Sequence, residues 1–426
     1  MKNARETAVQ ALLRQSTENA YSNLVIDALA TKNRLDARDA AFAAALFYGT
    51  LERRLTIDHI LKQYSARPLT ALSPQVRETL RAGGCQLVWM DGVDDYAAVN
   101  ESVNLVKALG QAKASGFVNG VLRSFLRDGK RIPPVDGGRA EQLAVEYSCP
   151  AWLVGRGLEA YGEPACLRLL SQSIGRPPLY LRANTLMVSP ERLAEILTGE
   201  GVPCTVETEP DGCIAVEGRV PIERLESFRS GLFHVQDRAS QLCAAALDPQ
   251  PGERVLDVCA APGGKSFTAA ERMRDEGELV ARDLHPKRAA LVRQGAQRLG
   301  IECIRASAGD AGIYDPALGS FDRVLCDVPC SGFGVIRRRP EIKYKSWESV
   351  RNLPEIQYKI LQTSSHYLKT GGRLVYSTCT LLPEENEQTV ARFLEGNPEF
   401  TLESQRTCTG EAADTDGFFI SVLKKR

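Results

Sequence analysis

A regular alternation of strand and helix signals from Glu253 to the end of the chain most constrains the fold. Short apolar segments rich in β-branched residues predict buried strands at 254–259, 278–283, 302–306, 321–327, 372–377 and 417–423. Helical periodicity predicts the intervening helices at 266–274, 286–299, 354–369 and 383–394. The last three would begin with proline, whose missing N–H costs nothing there. We therefore predict a doubly wound, mainly parallel sheet, forming a Rossmann-like α/β domain over residues 236–426.

Two further domains are expected to precede this sheet, because 426 residues exceed one ordinary core. Residues 1–140 show only helical periodicity, with breaks expected at Gly83-Gly84, and predict an all-α domain. Prolines and glycines at 129–142 indicate the first boundary. Residues 145–235 change to a βαββ pattern, which predicts a small α+β domain.

Composition excludes several classes of protein. Hydrophobic residues make up 43% and charged residues 25%, which is typical of a globular chain. The formal net charge is zero, so any surface that binds nucleic acid must be local. The charged N-terminus and the lack of a run of about 18 apolar residues predict neither a signal peptide nor a membrane span. Twelve cysteines without a CxxC pair predict a reduced, cytoplasmic protein, and four histidines without ligand spacing predict no structural metal.

Two loops after predicted strands carry groups suited to chemistry. The stretch FDRVLCDVPCSGFG (321–334) ends a strand with Asp327 and then presents Cys330 and two glycines. The segment Ser377-Thr378-Cys379-Thr380 offers a second thiol after another strand. Ligands of open α/β sheets bind outside the carboxyl ends of the strands. The sequence leaves open whether the two loops face one pocket.

A third loop, after the strand at 254–259, predicts a ligand site of another kind. It reads VLDVCAAPGGKS (255–266), and its small residues let backbone N–H groups approach a ligand at the start of a helix. It matches neither the dinucleotide motif nor the phosphate-binding P-loop. Acids follow three successive strands at Asp283, Asp310 and Asp327 and are placed to accept from ribose or adenine. This pattern indicates an adenosine ligand, and S-adenosylmethionine fits.

Three motifs, AAPGGK, DVPCSGFG and YSTCTLLPEENE, occur in order on these strands and resemble those of the Nop2/Sun superfamily of RNA cytosine-5 methyltransferases. ARETAVQALLR and GFVNGVLR are similar to the NusB-like domain of its bacterial Sun/Fmu branch, whose members act on small-subunit (16S) ribosomal RNA. RANTL and FHVQDRASQL are similar to the middle segment of that branch. The resemblance covers nearly the whole chain.

This resemblance implies roles for individual residues. Cys379 would be the nucleophile and Cys330 would assist product release. Asp327 would also hydrogen-bond the target base, and Lys265 is one candidate for favouring the thiolate, beside the charge that develops on the substrate. S-adenosylmethionine would be bound by Cys259, Ala260, Ala261, Pro262, Gly263, Gly264, Lys265, Asp283, Asp310 and Asp327.

A basic run follows the Cys330 motif, with aromatic residues interleaved. We predict that it contacts RNA phosphates through Arg337, Arg338, Arg339 and Lys343. The glutamates at 384, 385 and 387 are explained by favourable charge at a helix start, without a function. Two alternatives remain open: a transfer RNA cytosine-5 methyltransferase, and a non-catalytic RNA-binding assembly or antitermination factor suggested by the NusB-like part.

Overall fold

The computed structural model describes residues 3–18, 22–218, 220–409 and 415–426. The chain divides into two compact units. The first comprises Met1–Gly175 together with the short segment Ile336–Lys345, and the second comprises Arg176–Val335 and Ser346–Arg426. The bounds of the three domains expected from the sequence stay a prediction.

The first unit is helical, and no strand occurs among its described residues. Its helices are α1 (Ala4–Glu18), α2 (Ser22–Lys32), α3 (Ala37–Glu52), α4 (Arg54–Tyr64), α5 (Pro74–Trp89), α6 (Asp95–Ala108), α7 (Ser115–Arg127), α8 (Arg139–Glu146) and α9 (Ala151–Gln172). Leu46, Phe47, Leu122 and Phe125 are fully buried at its centre. Helix α9 is interrupted at Gly162, whose φ of 72° is not helical.

The predicted break at Gly83-Gly84 is wrong, because both glycines lie inside α5. A Cβ on Gly83 would lie 2.8 Å from a methyl carbon of Leu122, and one on Gly84 would lie 3.2 Å from a methyl carbon of Ile57. These glycines let neighbouring helices approach closely. Close packing offsets the low helix propensity of glycine.

The second unit begins with a small antiparallel sheet of order β2-β3-β1-β4. Its elements are β1 (Leu179–Ala183), α10 (Pro190–Gly199), β2 (Cys204–Val206), β3 (Cys213–Val216), α11 (Glu226–Arg229) and β4 (Phe233–Val235). The predicted βαββ pattern is present. Strand β4 was missed because three residues give no alternation to detect and the expected boundary lay there.

A seven-stranded sheet of order β10-β11-β9-β8-β5-β6-β7 completes this unit. Neighbouring strands from β5 to β9 are parallel, and β11 runs antiparallel between β9 and β10. The elements are α12 (Arg238–Leu247), β5 (Arg254–Asp257), α13 (Gly264–Arg272), β6 (Glu278–Asp283), α14 (Pro286–Leu299), β7 (Ile304–Ala308), β8 (Phe321–Asp327), α15 (Trp347–Val350), α16 (Leu353–Ser365), β9 (Leu368–Thr378), α17 (Glu387–Gly396), β10 (Phe400–Cys408) and β11 (Phe418–Lys425).

Both faces of the large sheet are covered by helices. Val255 packs into a cluster with residues of α12, α13 and α14. Its neighbour Leu256 packs into a second cluster with residues of α16 and α17. Successive strand residues point to opposite faces, so unbroken apolar runs are what a doubly covered sheet requires. The predicted fold class is confirmed.

Three details differ from the predictions. The last helix begins at Glu387 rather than at Pro383, because residues 382–386 form a tight turn in which Glu385 N–H donates to the Leu382 carbonyl. The helix predicted over 354–369 ends at Ser365, so Gly371 and Gly372, which were expected to end that helix, lie within β9 instead. Strand β10 was missed because its central residues are exposed and polar, so it lacks the apolar signal of a buried strand.

Candidate active site

The buried carboxyl of Asp257 holds the loop between β5 and α13. Its oxygens accept hydrogen bonds from the Ser266 hydroxyl (2.6 Å) and the Cys259 N–H (3.4 Å). Burial raises the pKa of Asp257 to about 7. Gly263 has a φ of 116°, and a Cβ there would overlap the ring of Phe267. Only glycine fits this conformation, so no side chain covers the backbone at the start of α13. An anionic group of a ligand is favoured at this end of a helix.

Lys265 and Asp327 form an ion pair at the carboxyl ends of β5 and β8. The ammonium nitrogen lies 2.8 Å from one carboxylate oxygen, and the other oxygen accepts from the Ser377 hydroxyl at 2.9 Å. The ring centroid of Phe418 lies 5.1 Å from the same ammonium. Burial opposes the charge on Lys265, but the Asp327 carboxylate outweighs it and raises the pKa of Lys265 above its ordinary value.

The two loop cysteines meet at the ends of the adjacent strands β8 and β9. Their sulfur atoms are 3.1 Å apart, and the Cys379 N–H donates to the sulfur of Cys330 at 3.3 Å. Both side chains are partly exposed. The loops therefore face one site, which answers the question that the sequence left open. We call residues 328–334 the Cys330 segment and residues 377–381 the Cys379 segment.

The charges around the two thiols differ. The hydrogen bond with Cys379, burial, and the carboxylates of Glu385 and Asp327 all raise the pKa of Cys330 well above its ordinary value. The ammonium of Lys265, in contrast, interacts electrostatically with Cys379. Opposite charge favours a thiolate and like charge disfavours it. This environment disfavours the thiolate at Cys330.

Two further acids lie where the sequence placed them, Asp283 as the last residue of β6 and Asp310 just after β7. Asp283 is buried; its carboxylate accepts from the His285 N–H at 3.1 Å and lies 3.4 Å from the guanidinium of Arg288. Asp310 is exposed, and one of its oxygens accepts from the Gly312 N–H at 2.8 Å. Each carboxylate retains acceptor capacity. Their contacts with a cofactor stay a prediction.

Family models match the chain in three consecutive stretches. The NusB family matches residues 2–127, an RsmF/B-like ferredoxin-like domain matches 149–223, and the family described as 16S rRNA methyltransferase RsmB/F matches 244–424. A probable ribosomal RNA small subunit methyltransferase B from Bacillus subtilis (strain 168) is 35% identical over 99% of this chain and 98% of its own. The chain belongs to the RsmB/F family of 16S rRNA methyltransferases. The family resemblance read from the motifs is confirmed.

A second relative and two solved structures are also similar to this chain. The ribosomal RNA small subunit methyltransferase B of Proteus mirabilis (strain HI4320) is 33% identical over 100% of this chain and 99% of its own. The crystal structure of PH0851 shares the fold, with a TM-score of 0.85, 24% identity, and coverage of 100% of this chain and 99% of that one. A methyltransferase homologue from Pyrococcus horikoshii matches with a TM-score of 0.60 and 25% identity, over 68% of this chain and 100% of that one.

The basic run of this RsmB/F-family chain belongs to the helical unit and is not uniformly exposed. Lys343 is fully buried, and its ammonium donates to the Glu52 carbonyl at 2.7 Å. Burial lowers the pKa of Lys343 to about 8. The next residue, Tyr344, donates to the Leu51 carbonyl and stacks under the guanidinium of Arg54. The Lys343 side chain therefore anchors this segment within the unit, an arrangement that disfavours the expected contact between Lys343 and RNA.

Several side chains at the RsmB/F site could not be recognised from the sequence. Ser266 and Ser377 orient Asp257 and Asp327, and small hydroxyls give no pattern that reveals such pairing. Glu385 was explained by the helix start, yet it is buried and accepts from the Ser331 N–H at 2.9 Å. No signal for this burial is present in the sequence, because Glu385 is one of several acids before the predicted helix. Glutamate is almost never fully buried without a partner, and the Ser331 N–H is one such partner here.

Neither a metal site nor a membrane span is found in the described part of the chain. Its His, Cys, Asp and Glu side chains form no group of three or more that could hold a metal ion. Among the helices of the described residues, none has the length and apolar character needed to cross a membrane.

Proposed function

We propose that this RsmB/F-family protein methylates carbon 5 of a specific cytosine in 16S ribosomal RNA through a covalent adduct between Cys379 and carbon 6. The observation that carries the proposal is the pair of sulfurs 3.1 Å apart next to the Lys265–Asp327 ion pair. A methyltransferase acting on an amine or hydroxyl needs no thiol, because those atoms attack a methyl group directly. Carbon 5 of cytosine does need one.

A thiolate makes carbon 5 nucleophilic. When the Cys379 sulfur bonds to carbon 6, the π electrons of the 5,6 double bond shift toward carbon 5. S-adenosylmethionine, when bound, supplies the electrophilic methyl group that carbon 5 takes. A base then removes the carbon 5 proton, the sulfur–carbon 6 bond breaks, and the double bond is restored. The target base must be unstacked to reach the thiol.

The residues at the sheet edge fit an adenosyl cofactor. The glycine backbone of 263–264 and the N-terminus of α13 suit a carboxylate. Asp283, buried at the end of β6, is suited to ribose hydroxyls. The remaining proposed contacts lie at Cys259, Ala260, Ala261, Pro262, Lys265, Asp310 and Asp327.

The electrostatics support Cys379 as nucleophile and Cys330 as the helper in release. Cys330 is surrounded by groups that raise its pKa, so it keeps its proton. A protonated thiol next to the attacking sulfur can donate its proton to the Cys379 sulfur as the sulfur–carbon 6 bond breaks, while a separate base takes the carbon 5 proton. The Lys265 ammonium lies within electrostatic reach of Cys379. The resemblance and the charges therefore support the same roles.

We propose that Asp327 hydrogen-bonds the target base. Ser377 and Lys265 fix its carboxylate through one oxygen each. Each oxygen has a second lone pair, which suits the amino edge of a cytosine as positive charge develops on the ring. The Lys265 ammonium offsets the charge of the Asp327 carboxylate in this partly buried site.

Ribosomal RNA is favoured over transfer RNA as substrate, because the relatives that span the full chain are named for the ribosomal small subunit. A non-catalytic assembly factor would have no use for the thiol pair and the ion pair at one strand edge. The test is methylation in vitro with labelled S-adenosylmethionine, followed by mapping of 5-methylcytosine. We expect label at one cytosine of 16S RNA; label confined to transfer RNA would overturn the ribosomal assignment.

A further inference from the structure

A tight turn before α17 contacts both cysteine segments. The side chain of Asn386 is fully buried. Its carbonyl oxygen accepts from the Thr378 hydroxyl at 2.5 Å, and its amide nitrogen donates to the Thr380 carbonyl at 3.1 Å. Thr378 and Thr380 are the two residues that flank Cys379. One side chain therefore brackets the Cys379 backbone from both sides.

The preceding residue makes the equivalent contact with the other cysteine. The Glu385 carboxylate is 1% exposed. One of its oxygens accepts from the Ser331 N–H at 2.9 Å and from the Gln357 amide at 2.7 Å. Gln357 in turn donates to the Pro329 carbonyl at 3.0 Å. Ser331 and Pro329 flank Cys330, so Glu385 and Gln357 together hold the Cys330 backbone.

Two further contacts link these groups. The hydroxyls of Ser331 and Thr380 lie 2.7 Å apart and join the two segments directly. The Tyr376 hydroxyl donates to the Glu385 carbonyl at 2.5 Å and ties the turn to β9. All these groups are buried, where hydrogen bonds are strong and their loss is costly.

The side chain of Asn386 makes these contacts and does not cap helix α17. It occupies the N-cap position of α17, yet its side chain makes no capping hydrogen bond. Asparagine is among the best N-cap residues, and its side chain ordinarily accepts from the first turn of the helix. Here the same groups face Thr378 and Thr380 instead. Capping of α17 therefore does not explain why an asparagine occupies this position.

We propose that Glu385 and Asn386 are positioning residues that hold the Cys330 and Cys379 segments from one turn and so set the distance between the two thiols. Neither side chain contacts the reacting atoms. The catalytic consequence rests on the proposed function, because attack at carbon 6 and release by the neighbouring thiol both depend on sulfur placement. A misplacement of about 1 Å costs on the order of 100-fold in rate.

Oxidative cross-linking tests the positioning without RNA or cofactor. Diamide takes two electrons and two protons from the thiol pair, which leaves a Cys330–Cys379 disulfide and the reduced hydrazine. Peptide mass spectrometry after alkylation gives the rate for this pair in the full-length protein. We expect Asn386→Ala and Thr378→Val each to slow cross-linking by about ten-fold. Asn397→Ala is the matched control, since Asn397 is buried and hydrogen-bonded at the other end of α17.

A double-mutant cycle separates positioning from general destabilisation. Asn386→Ala with Thr378→Val should cost little more than Asn386→Ala alone, because Asn386→Ala already removes the hydrogen bond that Thr378→Val removes. The methylation kcat should fall in parallel while the KM for S-adenosylmethionine stays within two-fold. Wild-type cross-linking rates in Thr378→Val and Asn386→Ala would overturn the proposal. Failure of the proposed function is distinguishable, since cross-linking would still follow this pattern in a protein that methylated no cytosine.

Discussion

The ammonium of Lys265 lies 2.8 Å from the carboxylate of Asp327, a residue 62 positions later in the chain. This pair joins the start of α13 to the end of β8 and places one positive charge within electrostatic reach of Cys379. We expect Lys265→Met to lower the methylation kcat/KM by ~100-fold, because it leaves the Asp327 carboxylate without its cationic partner and removes the positive charge next to the reacting thiols.

Lys369→Met is the matched control for this change. Lys369 pairs with Asp322 at the same 2.8 Å, near the first residue of β8 rather than its last. That pair is more exposed, so its loss should change stability by less than about 1 kcal/mol and leave the methylation kcat/KM within two-fold of wild type. Equal effects of the two substitutions would contradict a special role for Lys265.

Asp257 should make the stability of the protein pH-dependent. Burial raises its folded pKa to about 7, above the unfolded value of about 3.9. Between these values the unfolded chain has lost the proton that the folded protein keeps, so Asp257 disfavours folding more strongly as pH rises from 4 to 7. We expect Asp257→Asn to remove this contribution. The stability difference between wild type and variant, measured by urea unfolding, should grow by a few kcal/mol in favour of the variant over that range.

Gly334 should tolerate no side chain. Its N–H donates to the Cys379 carbonyl at 2.9 Å, and its carbonyl accepts from the Gly417 N–H at 2.8 Å. A Cβ would overlap the Gly417 carbonyl oxygen, so Gly334→Ala must displace the backbone next to Cys379. We expect methylation to fall at least ~100-fold, with S-adenosylmethionine affinity by calorimetry nearly unchanged. Gly199→Ala, with no atom within 4 Å of the added Cβ, should leave both quantities as in wild type.

We expect the arginines of the basic run to contact RNA and Lys343 to anchor the segment within the helical unit. Replacing Arg337, Arg338 and Arg339 together with alanine is expected to weaken binding to 16S RNA fragments and to reduce the slope of log affinity against log salt by up to about 2. Lys343→Met removes one positive charge but should leave the slope unchanged, because the Lys343 side chain is buried. Fluorescence anisotropy at several salt concentrations measures both. A slope lowered by Lys343→Met alone would show that this lysine reaches RNA.

The large sheet could be predicted from the sequence because its signals are local. Strands β6 and β8 were predicted at their observed bounds, Glu278–Asp283 and Phe321–Asp327, since apolar β-branched runs mark strands buried on both faces. The acids and thiols at their ends followed from topology alone. Strand β10 is exposed along one stretch and β4 has only three residues, so neither gave a periodic signal.

The contacts that assemble the site could not be predicted, because they join residues far apart in the chain. Ser331 and Glu385 are 54 positions apart, and the sequence showed Glu385 only as one acid among several before a helix. In the sequence, Lys343 looked like part of a charged surface. Its hydrogen-bond acceptor is a backbone carbonyl, and because every residue has one, the sequence could not reveal this contact. Pairing of this kind depends on which strands and loops become neighbours in space.

The central claim is that Cys379 attacks the base and Cys330 releases it. The most direct measurement is denaturing gel electrophoresis of Cys330→Ala and Cys379→Ala after incubation with 16S RNA and S-adenosylmethionine. Peptide mapping would then identify the cysteine bonded to RNA. Cys330→Ala should accumulate a covalent protein–RNA complex through Cys379, while Cys379→Ala should form no complex and transfer no methyl group. A complex that accumulates in Cys379→Ala, bonded through Cys330, would contradict this assignment.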